Sequence, residues 1–252
     1  MLGFVLGTGE GREILREVNK FTEDIVVSTA TAYGGELLKE YKVKHMNTRP
    51  LDLEGFKNFI REWNIKVFVD ASHPYASEAS KTVIKACKEE NIKYIRYERE
   101  SYFDKVDYKQ IIRLDSYEEL KEALKDIKGN ILNTTGSNNA LLINRLGLEN
   151  RVIHRVLPSY TVIKKLTEGG ITLDNIIAIK GPFGKAINDG IIKEYNIKAI
   201  ITKDSGKEGG VEEKVNSAIE NNAKIILINK PKVDYGTVFN DLKDLILYLK
   251  EV

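Results

Sequence analysis

Short apolar runs rich in valine and isoleucine recur along the whole chain, and most are followed by a segment whose apolar residues fall three and four apart. The first half offers strand patterns in "LGFVLG" (2–7), "DIVVST" (24–29), "YKVKHM" (41–46), "KVFVD" (66–70) and "IKYIRY" (92–97). Helical patterns lie between them in "GREILREVNK", "DLEGFKNFIREW" and "YASEASKTVIKACKEE". The second half repeats the scheme with the strands "KQIIRL", "NILNTT", "RVIHRVL", "NIIAIKG", "IKAIIT" and "AKIILINK". Its helices are "SYEELKEALKDI", "NNALLINRL", "FGKAINDGIIKEY", "GVEEKVNSAIEN" and "FNDLKDLILYLKE". Unbroken apolar strands alternating with amphipathic helices predict parallel sheets covered on both faces. Residues 98–108, "ERESYFDKVDY", are polar, aromatic and without period, and they fall where about five strands have accumulated on each side. The expectation is an α/β protein of two Rossmann-like, doubly wound parallel-sheet domains, 1–100 and 101–252, with an interdomain cleft. The C-terminal helix is free to pack on either domain.

Such sheets bind ligands at the carboxyl ends of their strands. The unusual residues gather there, in "GTGEGR", "STATAYGG", "DASHPYA", "RYER", "TTGSNN", "RVLPS", "KGPFG" and "TKDSGKEGG". The first loop carries Gly7, Gly9 and Gly11 between a strand and a helix, where glycine lets a backbone approach a phosphate. A dinucleotide fingerprint would place its third glycine at position 12, which is Arg12. NAD enzymes also need an acid at the end of the second strand, where this chain has Ser28, Thr29 and Thr31. Hydroxyls with Arg12 nearby suit the 2′-phosphate of NADP. The G-x-G-x-G spacing also fits S-adenosylmethionine-dependent methyltransferases, but these generally use the same missing acid. A glycine turn with no ligand is the plain alternative.

In the second half "TTGSNN" (Thr134, Thr135, Gly136 and Ser137 onward) joins a strand to a helix and can donate several hydrogen bonds to a carboxylate or phosphate. "TKDSGKEGG" sets Lys203, Asp204 and Ser205 beside Gly206, a loop able to bind an anion or hand over a proton, or simply a polar loop. "DASHPYA" places His73 just after Asp70, as a helix-start residue bonded to it or as a pH-sensitive site element. Arg96, Arg99 and Arg155 sit at or just beyond strand ends, where arginines clamp carboxylates in bidentate fashion. Tyr-x-x-x-Lys occurs at Tyr117/Lys121 and Tyr160/Lys164, but no serine stands about a dozen residues upstream, so both pairs read as solvated helix faces.

Composition narrows the field. The 252 residues are 42% apolar and 30% charged, enough for a packed core, and 39 basic against 37 acidic residues leave a net charge of +2. That balance gives no support for nucleic acid as a partner. Cys87 is the only cysteine and reads as a small buried helix residue, so no disulfide framework forms within one chain. Three histidines in distant segments make a histidine metal site an unsupported reading, and no metal is expected. No run approaches the roughly 18–20 apolar residues of a membrane span, and no leader pattern opens the chain. A soluble, cytoplasmic protein is expected. Plentiful Lys and Glu with scarce Cys, Met and Trp suit a hot environment.

Taken together the segments resemble the precorrin-6A reductases of cobalamin biosynthesis, including the cobalt-precorrin-6A form. "LGTGEGRE" looks like the family's Gly-Thr-x-Glu-x-Arg loop, "VDASHPYA" its Val-Asp-Ala-Thr-His-Pro segment, and "RYERE" its Arg-x-x-Arg-Pro stretch. "TTGSNN", "RVLPS", "KGPF" and "TKDSG…GG…EK" follow in the family's order. Ser72 stands where threonine is usual, Glu100 replaces a proline, and Gly11 sits where many relatives have alanine. The resemblance implies an NADPH-dependent reduction of a double bond in a polycarboxylate tetrapyrrole, hydride adding at one ring carbon and a proton at its neighbour. On that reading Gly7, Thr8, Gly9, Glu10, Gly11, Arg12, Ser28, Thr29, Thr31 and His73 hold the cofactor. Arg96, Arg99, Thr134, Thr135, Gly136, Ser137, Arg155, Ser205 and Gly206 hold the substrate, and Lys203, Asp204 or a water supplies the proton. The rivals are a methyltransferase and a non-catalytic protein binding a dinucleotide or an acidic metabolite. Monomer and homodimer both stay open.

Overall fold

The structure, a computed structural model, describes residues 1–7, 9–205 and 210–252. Thr8 and Gly206 therefore lie outside the described residues. The chain forms two compact units, Met1–Glu100 with Pro231–Val252, and Ser101–Lys230. In chain order the first unit contributes β1 (Leu2–Leu6), α1 (Glu10–Val18), β2 (Ile25–Ser28), α2 (Ala32–Glu36), β3 (His45–Asn47), α3 (Leu53–Glu62), β4 (Val67–Ala71), α4 (Ser77–Glu89) and β5 (Lys93–Tyr97). The second unit follows with β6 (Ile111–Leu114), α5 (Leu120–Leu124), β7 (Asn130–Asn133), α6 (Ser137–Arg145), β8 (Val152–Val156), α7 (Tyr160–Glu168), β9 (Ile176–Ala178), α8 (Lys185–Glu194), β10 (Ile197–Lys203), α9 (Val211–Glu220) and β11 (Lys224–Ile228). The chain then returns to the first unit with β12 (Val238–Phe239) and α10 (Leu242–Lys250).

Each unit holds one six-stranded sheet, ordered β12-β5-β4-β1-β2-β3 in the first and β6-β11-β10-β7-β8-β9 in the second. Every pairing among the described residues is parallel. In the first sheet the chain runs outward from β1 to β2 and β3, then comes back to lay β4 on the other side of β1. The second sheet does the same with β7, β8 and β9, then β10. Connections diverge at β1/β4 and again at β7/β10, the switch points where doubly wound sheets leave a crevice beyond their carboxyl ends. The sixth strand differs in origin: β12 comes from the end of the chain, β6 from the start of its unit.

Strand periodicity explains the two cores of the first unit. Leu2, Phe4 and Leu6 of β1 face one side, with Ile14, Leu15 and Val18 of α1 and Leu245, Ile246 and Leu249 of α10. Val5 faces the other, with Phe56, Phe59 and Ile60 of α3 and Val83 and Cys87 of α4. At Gly3 an added Cβ would lie 2.8 Å from Ile65 Cδ1, so the Ile65 and Phe68 side chains pack where a larger residue would make them shift. Those α10 contacts decide where the C-terminal helix packs. Two short elements, α2 and β12, lack an apolar run long enough to announce them. The strand expected at 41–46 is shorter and begins at His45, and the helix expected at 116–127 is confined to Leu120–Leu124. There the Glu119 carboxylate accepts the Asp115 and Ser116 amides at 3.1 and 2.8 Å, fixing a turn where the helical pattern would have begun. No helix among the described residues is long and apolar enough to cross a membrane.

Trp63, the only tryptophan, belongs to the first unit, so its fluorescence reports that unit's unfolding. Leu245→Ala removes a fully buried side chain of α10 and is expected to cost about 2–5 kcal/mol, seen as a lower urea midpoint of the tryptophan signal. An unchanged midpoint would contradict the packing of the C-terminal helix in this core.

Candidate functional site

The three opening glycines do different things. The Gly7 amide donates to the Ala71 carbonyl at 3.1 Å, and a Cβ on Gly7 would sit 3.4 Å from the His73 nitrogen, so the loops after β1 and β4 run against each other. A Cβ on Gly11 would meet Leu6 Cβ at 3.1 Å, so this glycine serves the close packing of α1 on β1. That is the role the third glycine of a dinucleotide fingerprint ordinarily fills. Gly9 stands at the N-cap of α1 and has no side chain with which to cap it. Glu10 and the half-buried Arg12 lie on the same turn.

The hydroxyls beyond β2 are more committed than the sequence implies. Ser28 and Thr29 are buried. The Ser28 Oγ accepts from Asn47 Nδ2 at 3.0 Å, and the Thr29 hydroxyl donates to the Thr31 carbonyl at 3.0 Å. Thr31 is exposed, and its hydroxyl accepts the Gly34 amide at 3.0 Å to cap α2. Of the three, Thr31 alone presents its side chain to solvent.

Beneath the β4 loop lies a buried ionic network. The Asp70 carboxylate, fully buried, accepts from the Ser72 amide (2.9 Å), the Tyr94 hydroxyl (2.7 Å) and Arg96 Nη1 (2.9 Å). Arg96, also fully buried, donates from Nε and Nη2 to Glu98 at 3.2 and 3.1 Å and lies 4.9 Å from the Tyr235 ring centre. Burial and the Asp70 charge push the Tyr94 phenol well above its usual range. The placement of Arg96 as a substrate clamp is corrected here: its guanidinium is inside the unit and occupied by two carboxylates. It positions the β4 loop. Arg99 is paired with Glu13 of α1 and is partly exposed. His73 is exposed and accepts the Tyr75 amide at its Nδ1 (3.2 Å), while Asp70, to which the sequence tied it, is engaged elsewhere. Cys87 is buried in α4, its thiol pushed up to about 12 by burial and then by the Asp70 charge.

The second unit repeats the arrangement with different chemistry. Beyond β7 the Thr134 hydroxyl and amide both donate to the Ile201 carbonyl at 2.9 Å. Buried Thr135 donates from its amide and hydroxyl to Asn133 Oδ1, at 2.9 and 2.7 Å. Gly136 opens α6 at φ +92°, a conformation that favours glycine, and supplies no side-chain cap. Ser137 begins the helix. With its Oδ1 accepting from Thr135, Asn133 must turn Nδ2 toward His154, which it meets at Nδ1 (3.0 Å). That bond makes Nδ1 an acceptor, so His154 is neutral with its proton on Nε2. Burial holds its pKa down to about 4.

Beyond β10, burial lowers Lys203, and buried Asp204 has Lys230 Nζ at 3.9 Å from Oδ2. Ser205 is partly buried and donates its amide to the Lys203 carbonyl at 3.0 Å. At the end of β8 the Arg155 guanidinium donates to Asn188 Oδ1 at 2.8 Å and lies 5.0 Å from the Phe183 ring centre. Desolvation brings it down to about 10. Arg96 and Arg99 each pair with a carboxylate, whereas Arg155 has none among the described residues. Arg155 is therefore the arginine best suited to take an anion.

Lys214 carries no role in the sequence reading. It stands in the first turn of α9, buried, with Nζ donating to the Thr202 hydroxyl at 3.1 Å. Its signal was present in the sequence: Val211, Lys214, Val215 and Ala218 form one apolar stripe with a lysine in it.

A model of the precorrin-6x reductase family, CbiJ/CobK, matches residues 3–250. The chain belongs to this family. The cobalt-precorrin-6A reductase of Methanocaldococcus jannaschii is 38% identical over 246 residues, covering 96% of this chain and 95% of the relative. That of Priestia megaterium is 36% identical over 249 residues, covering 98% and 96%. A solved CobK precorrin-6A reductase superposes with a TM-score of 0.81 at 16% identity, over 99% of this chain and 96% of that one, and shares the fold. The family is one of reductases, and this member is an oxidoreductase of cobalamin biosynthesis.

His154 also sets a pH limit on the second unit. Its folded pKa lies below the unfolded value, so its contribution is complete above about pH 6.5. Between there and about pH 4 the unfolded chain takes up a proton that the folded unit refuses, and roughly 3 kcal/mol is lost. Urea unfolding followed by circular dichroism at pH 7.5 and pH 5 is expected to show the decline, with His154→Gln flattening it. Equal slopes for both proteins would contradict the neutral buried imidazole.

Proposed function

We propose that the protein reduces one double bond of the precorrin-6A or cobalt-precorrin-6A macrocycle with NADPH, giving the corresponding precorrin-6B, as a soluble cytoplasmic enzyme. The observation that carries the reading is the pair of switch points, each flanked by loops of suitable chemistry. At β1/β4 the glycine loop, the glycine at the start of α1 and the absence of an acid beyond β2 fit a phosphorylated dinucleotide. Gly7, Gly9 and the first-turn amides line its phosphates, Gly11 lets α1 pack close on β1, Arg12 and Thr31 meet the 2′-phosphate, and His73 flanks the same crevice. The missing acid counts equally against S-adenosylmethionine.

At β7/β10 the loops suit a polycarboxylate. The amides at Gly136 and Ser137, with Arg155 and Ser205, hold acetate and propionate side chains of the tetrapyrrole, as the names of the relatives suggest. NADPH, when bound, supplies the hydride, and the protein's part is alignment and one proton. Lys203 or Asp204, both at the end of β10, holds that proton or orders the water that delivers it.

Titration of NADPH and NADH by nicotinamide fluorescence tests the cofactor assignment. NADPH is expected to bind more tightly, and Arg12→Gln to weaken NADPH about tenfold, the ~1.4 kcal/mol of one charge-assisted hydrogen bond, while leaving NADH within twofold. Equal losses for both nucleotides would remove Arg12 from the 2′-phosphate. At saturating NADPH, Lys203→Ala is expected to lower turnover, and unchanged turnover would take the lysine out of the chemical step.

A further inference from the structure

Lys214 is the buried ionisable group for which the reading above has no use. An ammonium carries three N–H donors, and among the described residues this one has a single acceptor, the neutral Thr202 hydroxyl. No carboxylate pairs with it there. Arg155 is in the same position: a desolvated guanidinium with one amide oxygen and one aromatic ring for company. Burying cations without countercharge costs free energy that the fold must offset elsewhere. Such strain gathers where a ligand relieves it.

Its bond to Thr202 sets Lys214 at the carboxyl end of β10, and the Phe183 ring under Arg155 belongs to a residue whose backbone nitrogen is 3.8 Å from the Cβ position of Gly210, where α9 begins. The charges acting on Lys214 come from three places. Arg155 on β8 and Lys203 at the end of β10 repel it, and Asp204 attracts it. Lys185 and Asp189 of α8, which also packs on α9, pair with each other beside Ser217 and Asn221, nearer the far end of α9. Burial is the largest influence, and together with the two cations it outweighs Asp204, bringing Lys214 to about 7. Lys214 is thus divided between its charged and neutral forms near neutral pH.

We infer that Arg155 and Lys214 build a buried anion subsite in the second unit, which takes one carboxylate of the substrate and draws a proton onto Lys214 as it binds. The inference rests on the polycarboxylate reading of that unit. The proton comes from solvent onto the Lys214 amine, and no other bond forms or breaks. A bound carboxylate supplies the missing countercharge, so the ammonium becomes the stable form. Lys214 is a positioning residue: its charge holds the anion against Arg155, and the chemistry happens elsewhere on the macrocycle.

Calorimetry in two buffers of different ionisation enthalpy, MOPS and Tris, measures the proton directly. The probes are uroporphyrin, a tetrapyrrole octacarboxylate, and tricarballylate, a tricarboxylate with no macrocycle. Uptake of roughly half a proton per ligand at pH 7, rising toward one at pH 8, is expected from the position of Lys214. Lys214→Met abolishes the uptake and weakens binding at pH 7 about tenfold or more, whereas Lys214→Arg, a fixed charge, binds without uptake. NADPH affinity stays unchanged in both variants. Binding with uptake by tricarballylate alone supports the subsite and counts against the tetrapyrrole. Uroporphyrin binding with no uptake, or with uptake that persists in Lys214→Arg, overturns the subsite and leaves the tetrapyrrole reading standing. Binding of neither probe overturns it too. A loss of NADPH affinity in Lys214→Met would assign the anion to the cofactor's phosphates and overturn the carboxylate assignment.

Discussion

Parallel pairing is the constraint from which the rest of the molecule follows. A parallel strand can be followed by its neighbour only after a crossover, so each strand's carboxyl end opens into a loop and most then lead into a helix. Both sheets grow outward from a central strand and then reverse across it. The reversal sends the connections that follow two neighbouring strands in opposite directions, the place at which doubly wound sheets bind their ligands. In the first unit these are the loops after β1 and β4, in the second the loops after β7 and β10.

The two units hold their loops by different means. In the first, the Asp70–Arg96 pair ties β4 to β5, and its Ser72 contact fixes the loop that lies against Gly7. Both ions are fully buried, and each has further hydrogen bonds, the condition under which a buried pair is tolerated. In the second, a neutral chain of Thr135, Asn133 and His154 does the equivalent work across β7 and β8. Burial alone holds that imidazole neutral.

Much of this was legible in the sequence. Strand and helix patterns are strong in α/β proteins because a parallel strand is apolar on both faces and its helix on one. The fold class and the clustering of loops at the carboxyl ends follow from that. What escaped was of two kinds. Elements of a few residues, α2 and β12, bury too little to leave a pattern. Side chains such as Arg96 and Lys214 were misplaced or passed over because sequence shows a residue's type and its neighbours along the chain, and burial depends on neighbours across it. Arg96 reads as an exposed clamp beside "RYERE" until the partner strand supplies Asp70. Lys214 reads as one more surface lysine in a chain with many, unless its place on an apolar stripe is taken seriously.

The central claim is that the family chemistry runs here as a hydride reduction, with the cofactor on the first unit and the macrocycle on the second. Incubating the protein anaerobically with precorrin-6A, with and without cobalt, and NADPH deuterated at one or the other C4 position tests it most directly. The account predicts NADPH oxidation matched to substrate loss, and one deuterium in the product from one of the two labelled cofactors. Product carrying no deuterium from either, or no cofactor oxidation with active substrate, would contradict it.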